Sequence, residues 1–353
     1  MMLNKLLKSK GLCAADQPTL DCVRCGGEDI RTTQDNENAV ALLCEHLQGC
    51  RTCRDAGYVM AVDAEGYEVV QPCRRAALSR KVALFNLARI PARYHDATLQ
   101  AYRVDSQLPP SELAELRRSR APDPTSTQAA VKTLFLKRYD QLHDALLPGG
   151  KLGPVRGIGL SGLPGVGKTH LMAALARRLV LELRVPVRFC NFANLLWDLK
   201  AGFATGKGED ELIAPLVDVE VLFLDEVGQG RASEWEKTIV DALVARRYDC
   251  GRTTFYATNY PFDAPTLRTM NEAHRFSQRG TTGAISAGEP APSTMETLAG
   301  RISERLASRL DALCDRFVLV GPDARMAEGK ALHERKATAA GLSASGLPPK
   351  GRS

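Results

Sequence analysis

Gly157-Ile158-Gly159-Leu160-Ser161-Gly162-Leu163-Pro164-Gly165-Val166-Gly167-Lys168-Thr169-His170 is the stretch whose reading decides the fold. It holds the full G-x-x-x-x-G-K-[ST] pattern between a short apolar run and a helical one, which is the arrangement of a nucleotide phosphate cradle. Gly162, Gly165 and Gly167 permit backbone conformations and a close approach that a Cβ would obstruct, so successive N–H groups can turn toward α- and β-phosphates. Leu163, Pro164 and Val166 fill the loop, Lys168 brings a mobile positive charge, and Thr169 with His170 opens a helix whose apolar face includes Leu171, Met172, Leu175 and Leu179. The Thr169 hydroxyl is placed to ligate Mg²⁺ while the positive helix end faces the phosphates. A chance match would leave a glycine-rich loop with a solvated lysine. Here strand, loop and helix are all present, which favours the nucleotide and leaves ATP or GTP open.

Working outward, Val185 to Cys190 reads as a second strand, Phe192 to Phe203 as a helix and Val219 to Leu224 as a third strand, an alternation that implies a parallel α/β sheet. The third strand opens into Asp225-Glu226, where a nucleotide hydrolase needs one carboxylate near Mg²⁺ and another to orient or deprotonate water. A helix from Glu234 to Tyr248 follows, with Trp235, Ile239, Val240, Leu243 and Val244 on its buried side. Thr253 to Thr258 then forms another strand ending in Asn259. At the carboxyl end of a parallel strand, an amide can reach a γ-phosphate or the attacking water; the bland alternative is an Asn that starts the Asn259-Tyr260-Pro261 turn.

At 353 residues, with 44% hydrophobic and 25% charged residues and a net charge of +6, the chain predicts two domains plus mobile segments and permits an anionic partner without demanding one. Its basic first ten residues never reach a continuous apolar stretch, so they read as neither signal peptide nor membrane span, and the expectation is a cytoplasmic protein. Seven of its ten cysteines lie between Cys13 and Cys73, a clustering that in a reducing compartment favours metal over disulfides. Cys22-Val23-Arg24-Cys25 and Cys50-Arg51-Thr52-Cys53 form two C-x-x-C knuckles that could close a tetrahedral Zn²⁺ site, contributing about 10–16 kcal/mol apparent to a module too small for its own core. Cys44, His46 and Cys73 are alternative ligands.

The expected organisation is therefore a zinc-binding module over 1–75, linker helices and a mobile insertion over 76–150, a nucleotide-binding domain over 151–326 with a flexible loop at about 271–293, and a disordered tail over 327–353. Arg74 to Ala88 has helical spacing and stops before Ile90-Pro91. Residues 104–128 carry Leu108-Pro109-Pro110 and a charged run, and helical periodicity returns from Val131 to Leu146. Further on, Leu298, Ile302, Leu306, Leu310 and Leu313 give one helix an apolar face, and Arg301, Arg305 and Arg309 lie along an adjoining basic stripe.

In four motifs the chain resembles the AAA+ ATPases of the bacterial DnaC-like helicase-loader group, which includes DnaI-type loaders and IstB-like transposition helpers. These are Gly162 to Thr169, the strand ending in Asp225-Glu226, the Thr258-Asn259 strand end, and Ser303 to Leu310 with its sequel Gly321 to Arg325; Ile90-Pro91-Ala92-Arg93-Tyr94 also looks like the group's entry segment. The resemblance implies ATP, with Asp225 as metal-site acid, Glu226 as catalytic carboxylate and Asn259 as first sensor. It further implies that Arg309 is an arginine finger acting on a neighbouring subunit, and that Arg325 senses nucleotide within its own. The implied partners are the replicative helicase, engaged by the zinc module, and single-stranded DNA. The alternatives are a transposition helper working with a transposase on duplex DNA and a nucleotide-dependent adaptor that scarcely hydrolyses ATP. One departure from the group is Cys73-Arg74-Arg75 in place of a closing C-x-C.

Overall fold

Five parallel strands, each starting where a helix or loop delivers the chain back to the same edge, build the sheet that carries the glycine-rich loop. The computed structural model describes residues 25, 29–45, 53, 58–102, 104, 124–230, 233–279 and 296–321. In chain order the elements begin with two antiparallel hairpins, β1 (Ile30–Asp35) with β2 (Asn38–Leu43) and β3 (Tyr58–Val62) with β4 (Glu68–Pro72). Helices α1 (Arg74–Ala88) and α2 (Pro124–Asp144) follow, then a two-residue ribbon of β5 (Leu146–Leu147) and β6 (Lys151–Leu152). The core continues as β7 (Gly157–Ser161), α3 (Lys168–Leu183), β8 (Val187–Asn191), α4 (Phe192–Ala204), α5 (Glu209–Asp218) and β9 (Val221–Asp225). It ends with α6 (Glu234–Asp249), β10 (Thr253–Thr258), α7 (Ala264–Arg279), α8 (Leu298–Ile302), α9 (Glu304–Leu313) and β11 (Cys314–Val318).

The sheet order is β11-β7-β10-β9-β8, with every neighbouring pair parallel. This is the parallel α/β sheet flanked by helices that the sequence predicts. Alternation along the strands gives each face its own core. On one face Phe189, Phe223 and Phe255 come into register across β8, β9 and β10 and stack at 5.8 and 4.8 Å between centroids, with Phe135 of α2 against the last ring at 6.3 Å. On the other face Leu222, Leu224 and Tyr256 pack against residues of α4, α5, α6, α8 and α9. Ile30, Ala39 and Ala41 of the first hairpin join the first face's core along with α1, α2 and α3.

Capping explains several boundaries. Asn191 accepts from the Ala193 and Asn194 amides to start α4, and Ser233 with Glu236 forms a reciprocal capping box at α6.

Two local expectations are revised. Residues 271–279, expected to open a flexible loop, continue α7; the rest of that loop lies outside the described residues. Residues 124–128, at the end of the insertion read as partly helical, form the start of α2. The single helix expected through the leucines from Leu298 to Leu313 is two helices, because Ser303 takes φ 149° and restarts the helix by accepting from the Leu306 amide at 3.2 Å. Both halves still bury their leucines. The tail from 327 lies outside the described residues. Among the described residues no helix is long and apolar enough to cross a membrane.

Candidate nucleotide-binding site

The carboxyl ends of β7, β10, β9 and β8 lie in that order along one edge, so residues more than 90 positions apart in sequence become neighbours there. β7 delivers the glycine-rich loop. At Gly162 an added Cβ would come within 2.3 Å of the Leu319 carbonyl oxygen, and Gly165 and Gly167 take φ of 81° and 95°, which disfavours any side chain at these points. Gly167 is the N-cap of α3, whose first turn holds Lys168, Thr169 and His170. Orphan amides at that helix start and the positive end of its dipole suit an anion.

The Lys168 ammonium is mostly buried and donates to the Gly162 and Leu163 carbonyls at 2.7 and 2.9 Å and to Asn259 Oδ1 at 2.7 Å. Asn259 therefore faces the phosphate-loop lysine rather than serving only the turn that follows it. Thr169 Oγ1 donates to Asp225 Oδ2 at 2.8 Å, and Asp225 Oδ1 accepts from the Glu226 amide at 3.0 Å. A hydroxyl and a carboxylate this close are the hard oxygen donors that Mg²⁺ takes. Burial pushes the Asp225 carboxyl up to about 6, with the charge of Glu226 adding to the rise and the Thr169 hydroxyl and Lys168 opposing it. Glu226 adopts φ 57°, a left-handed conformation uncommon outside glycine, and its Oε2 accepts from Asn191 Nδ2 at 2.7 Å.

Sequence reading missed Asn191, although the rule that ligands gather at the carboxyl ends of parallel strands applies to the end of β8 as it does to Asp225 and Asn259. It also missed Tyr102, whose hydroxyl reaches the Val166 carbonyl at 3.0 Å. His170 turns away from the loop: its ring lies 6.2 Å from that of Tyr94 and 5.8 Å from that of Tyr102, and its Nε2 is 3.0 Å from the Thr98 carbonyl. Leu163, Pro164 and Val166 complete the loop between its glycines.

Arg309 is not bonded to this group. Its guanidinium pairs with Asp241 of α6, whose other carboxylate oxygen lies 3.1 Å from Arg305 Nε. Arg325 lies outside the described residues, as do Cys22, Cys50 and His46. Of the other cysteines considered as ligands, Cys53 and Cys73 are buried together beside Val59, and Cys25 and Cys44 are buried as well. Among the described residues no group of three or more His, Cys, Asp or Glu side chains is arranged to hold a metal ion.

Comparison with known proteins matches this segment to a family and the chain to several relatives. Residues 155–267 match the family described as IstB-like ATP binding protein. The replicative helicase loader DnaC of Escherichia coli (strain K12) is 36% identical over 100 residues, which cover 28% of this chain and 40% of that protein. An uncharacterized protein of the same organism, YdaV, is 26% identical over 162 residues, covering 46% of this chain and 63% of that one. A crystal structure of the DnaC helicase loader is 20% identical, with a TM-score of 0.44, covering 65% of this chain and 99% of that one. The chain thus spans about two fifths of the length of the DnaC relatives it matches. The phosphate loop of β7 and α3, the acidic end of β9 and the strand end at Asn259 all fall within residues 155–267, the segment that is similar to the IstB-like ATP binding protein family.

Proposed function

We propose that the chain binds and hydrolyses ATP with Mg²⁺ and uses that cycle in the cytoplasm to help load the replicative helicase onto single-stranded DNA. The observation that carries the ATPase reading is the hydrogen-bonded row of Asn259, Lys168, Thr169, Asp225 and Glu226 along one sheet edge. In this reading Lys168 and the loop amides hold the phosphates, and Thr169 with Asp225 holds Mg²⁺, which when bound offsets charge that builds on the transferred phosphoryl group. Glu226 orients or deprotonates the attacking water and Asn259 contacts the γ-phosphate or that water. Lys168→Ala should abolish ATP binding, whereas Glu226→Gln should keep binding and lose turnover; equal hydrolysis by wild type and Glu226→Gln would sink the catalytic assignment.

The helicase partner is carried by the DnaC relatives alone, and the IstB-like family match favours a second reading as a transposition helper acting with a transposase. Pull-down from native extract and identification of what binds separates the two: a hexameric helicase supports the first and a transposase the second. We further propose one Zn²⁺ per chain held by Cys22, Cys25, Cys50 and Cys53, or by a set that draws on Cys44, His46 or Cys73, in a module that binds the helicase. Loss of that zinc on replacing Cys50 and Cys53 together, read by metal analysis, supports it; metal-free protein with a folded N-terminal module refutes it.

A further inference from the structure

Tyr102 stands 64 positions before the residue its hydroxyl touches, and nothing in the chemistry of ATP hydrolysis calls for a tyrosine there. Its ring is buried and pressed against the glycine-rich loop, so that a Cβ built on Gly167 would come within 2.6 Å of Tyr102 Cε2. Burial raises the phenol far above its ordinary titration range and keeps it a neutral donor. The acceptor, the Val166 carbonyl, belongs to the peptide unit whose other end is the Gly167 N–H.

We propose that Tyr102 is a positioning residue of the phosphate loop, holding the Val166 carbonyl so that the Gly167 N–H is aimed at the β-phosphate of a bound nucleotide. The inference rests on the nucleotide reading of the site. Its physical basis is the planar trans peptide: C=O and N–H point in opposite directions, so fixing the oxygen on the Tyr102 side turns the hydrogen to the other side of the loop. Gly167 precedes Lys168 at the helix start, where amide hydrogens have no intrahelical acceptor and are available to an anion. A loop rich in glycine costs the most backbone entropy to order, and an external anchor reduces what the nucleotide must order on binding.

The anchor is itself tied down. Lys132 of α2 donates to the carbonyls of Gln100 and Tyr102 at 3.1 and 3.0 Å, and the Ala101 amide donates to Thr98 Oγ1 at 3.0 Å. Arg177 of α3 donates to the Ala97 carbonyl at 2.6 Å and to Thr32 Oγ1 of the first hairpin at 3.2 Å. The segment from Ala97 to Tyr102 therefore joins α2, the hairpin and the phosphate loop in one bonded unit.

Tyr102→Phe keeps the ring and removes the hydrogen bond. Displacement of a fluorescent ADP by AMP, ADP and ATP separates positioning from packing, because only nucleotides with a β-phosphate use the Gly167 amide. The loss of one hydrogen bond predicts ADP and ATP binding about three- to tenfold weaker in Tyr102→Phe, with AMP changed less than about twofold. Lys132→Met, which leaves the tyrosine in place and frees its backbone, should reproduce the same phosphate-dependent pattern more weakly, and it decides the matter if Tyr102→Phe does not fold. Unchanged ADP affinity in both variants, or an equal loss for all three nucleotides, overturns the proposal. Wild-type protein that binds no ADP would instead overturn the nucleotide reading on which it rests.

Discussion

Asn191 performs two tasks with the two ends of one amide. Its oxygen caps α4 and its nitrogen restrains Glu226, the residue whose left-handed backbone stores strain of about 1–3 kcal/mol. Substitution can separate the tasks, since serine also caps helices but cannot donate across to the carboxylate in the same way. Asn191→Ser should melt close to wild type and Asn191→Ala should lose about 1 kcal/mol through the missing cap, while both raise ATP turnover in the absence of any partner by freeing Glu226. Thermal melts and a basal ATPase assay check the two halves independently. Turnover identical to wild type in both variants would show that the contact does not restrain the carboxylate. The carboxylates and the lysine were legible in the sequence because the phosphate-loop and acidic strand-end patterns are local, one strand end and one loop each. Asn191 and Tyr102 were not, because each acts across a distance of 35 or more positions that only the sheet and the packed entry segment close.

At the scale of elements, periodicity located the apolar residues of α8 and α9 but not the break between them. Leu298, Ile302, Leu306, Leu310 and Leu313 are all buried, so a pattern of apolar spacing reads the same whether the helix is continuous or restarted. Ser303 stands in a conformation that suits glycine and also supplies the cap oxygen for α9. Ser303→Ala should therefore cost about 2 kcal/mol, keeping the strained φ and losing the cap, whereas Ser303→Gly should stay within about 0.5 kcal/mol because relief of the backbone offsets the lost hydrogen bond. Urea unfolding of the two variants measures this, and equal costs would contradict it. Helix α6 holds a second feature hidden from periodicity. Arg247 in its last turn is fully buried and donates to the carbonyls of Leu216, Val217, Val219 and Thr253, tying the end of α5 and the starts of β9 and β10 together. Burial lowers its guanidinium to about 9, with Arg252 adding to the shift and Glu220 opposing it. A charged residue read from sequence belongs on the solvent side of a helix; five donors in one planar fork make this one a bracket for otherwise orphaned carbonyls.

At the scale of the whole molecule, Arg305 and Arg309 of α9 share the Asp241 carboxylate of α6 and are not bonded to Asp225 or Glu226. The arginine-finger role proposed for Arg309 then requires a neighbouring subunit's phosphates to draw it from that carboxylate. Mixing Arg309→Ala protein, whose phosphate loop is intact, with Lys168→Ala protein, whose arginine is intact, should restore ATP hydrolysis that neither shows alone. Such a residue can be worth about 10³–10⁵ in rate in other phosphoryl-transfer systems, so recovery should be well above background. Full activity of Arg309→Ala by itself, at concentrations where the wild type assembles, would rule the shared site out.

The phosphate loop, the acidic strand end and the alternation of apolar strands with helices were determined by the sequence alone, because each depends on residues within a few positions of one another and on periods that the backbone imposes. The fifth strand and the strand order β11-β7-β10-β9-β8 were decided only by the tertiary structure. Cys314-Asp315-Arg316-Phe317-Val318 lacks the long apolar run of the others and becomes a strand by pairing with β7. That order in turn sets Asn259 on Lys168 and Asn191 on Glu226, and the packed entry segment sets Tyr102 against Gly167, since hydrogen bonds between residues distant in the chain exist only once packing has brought their elements together.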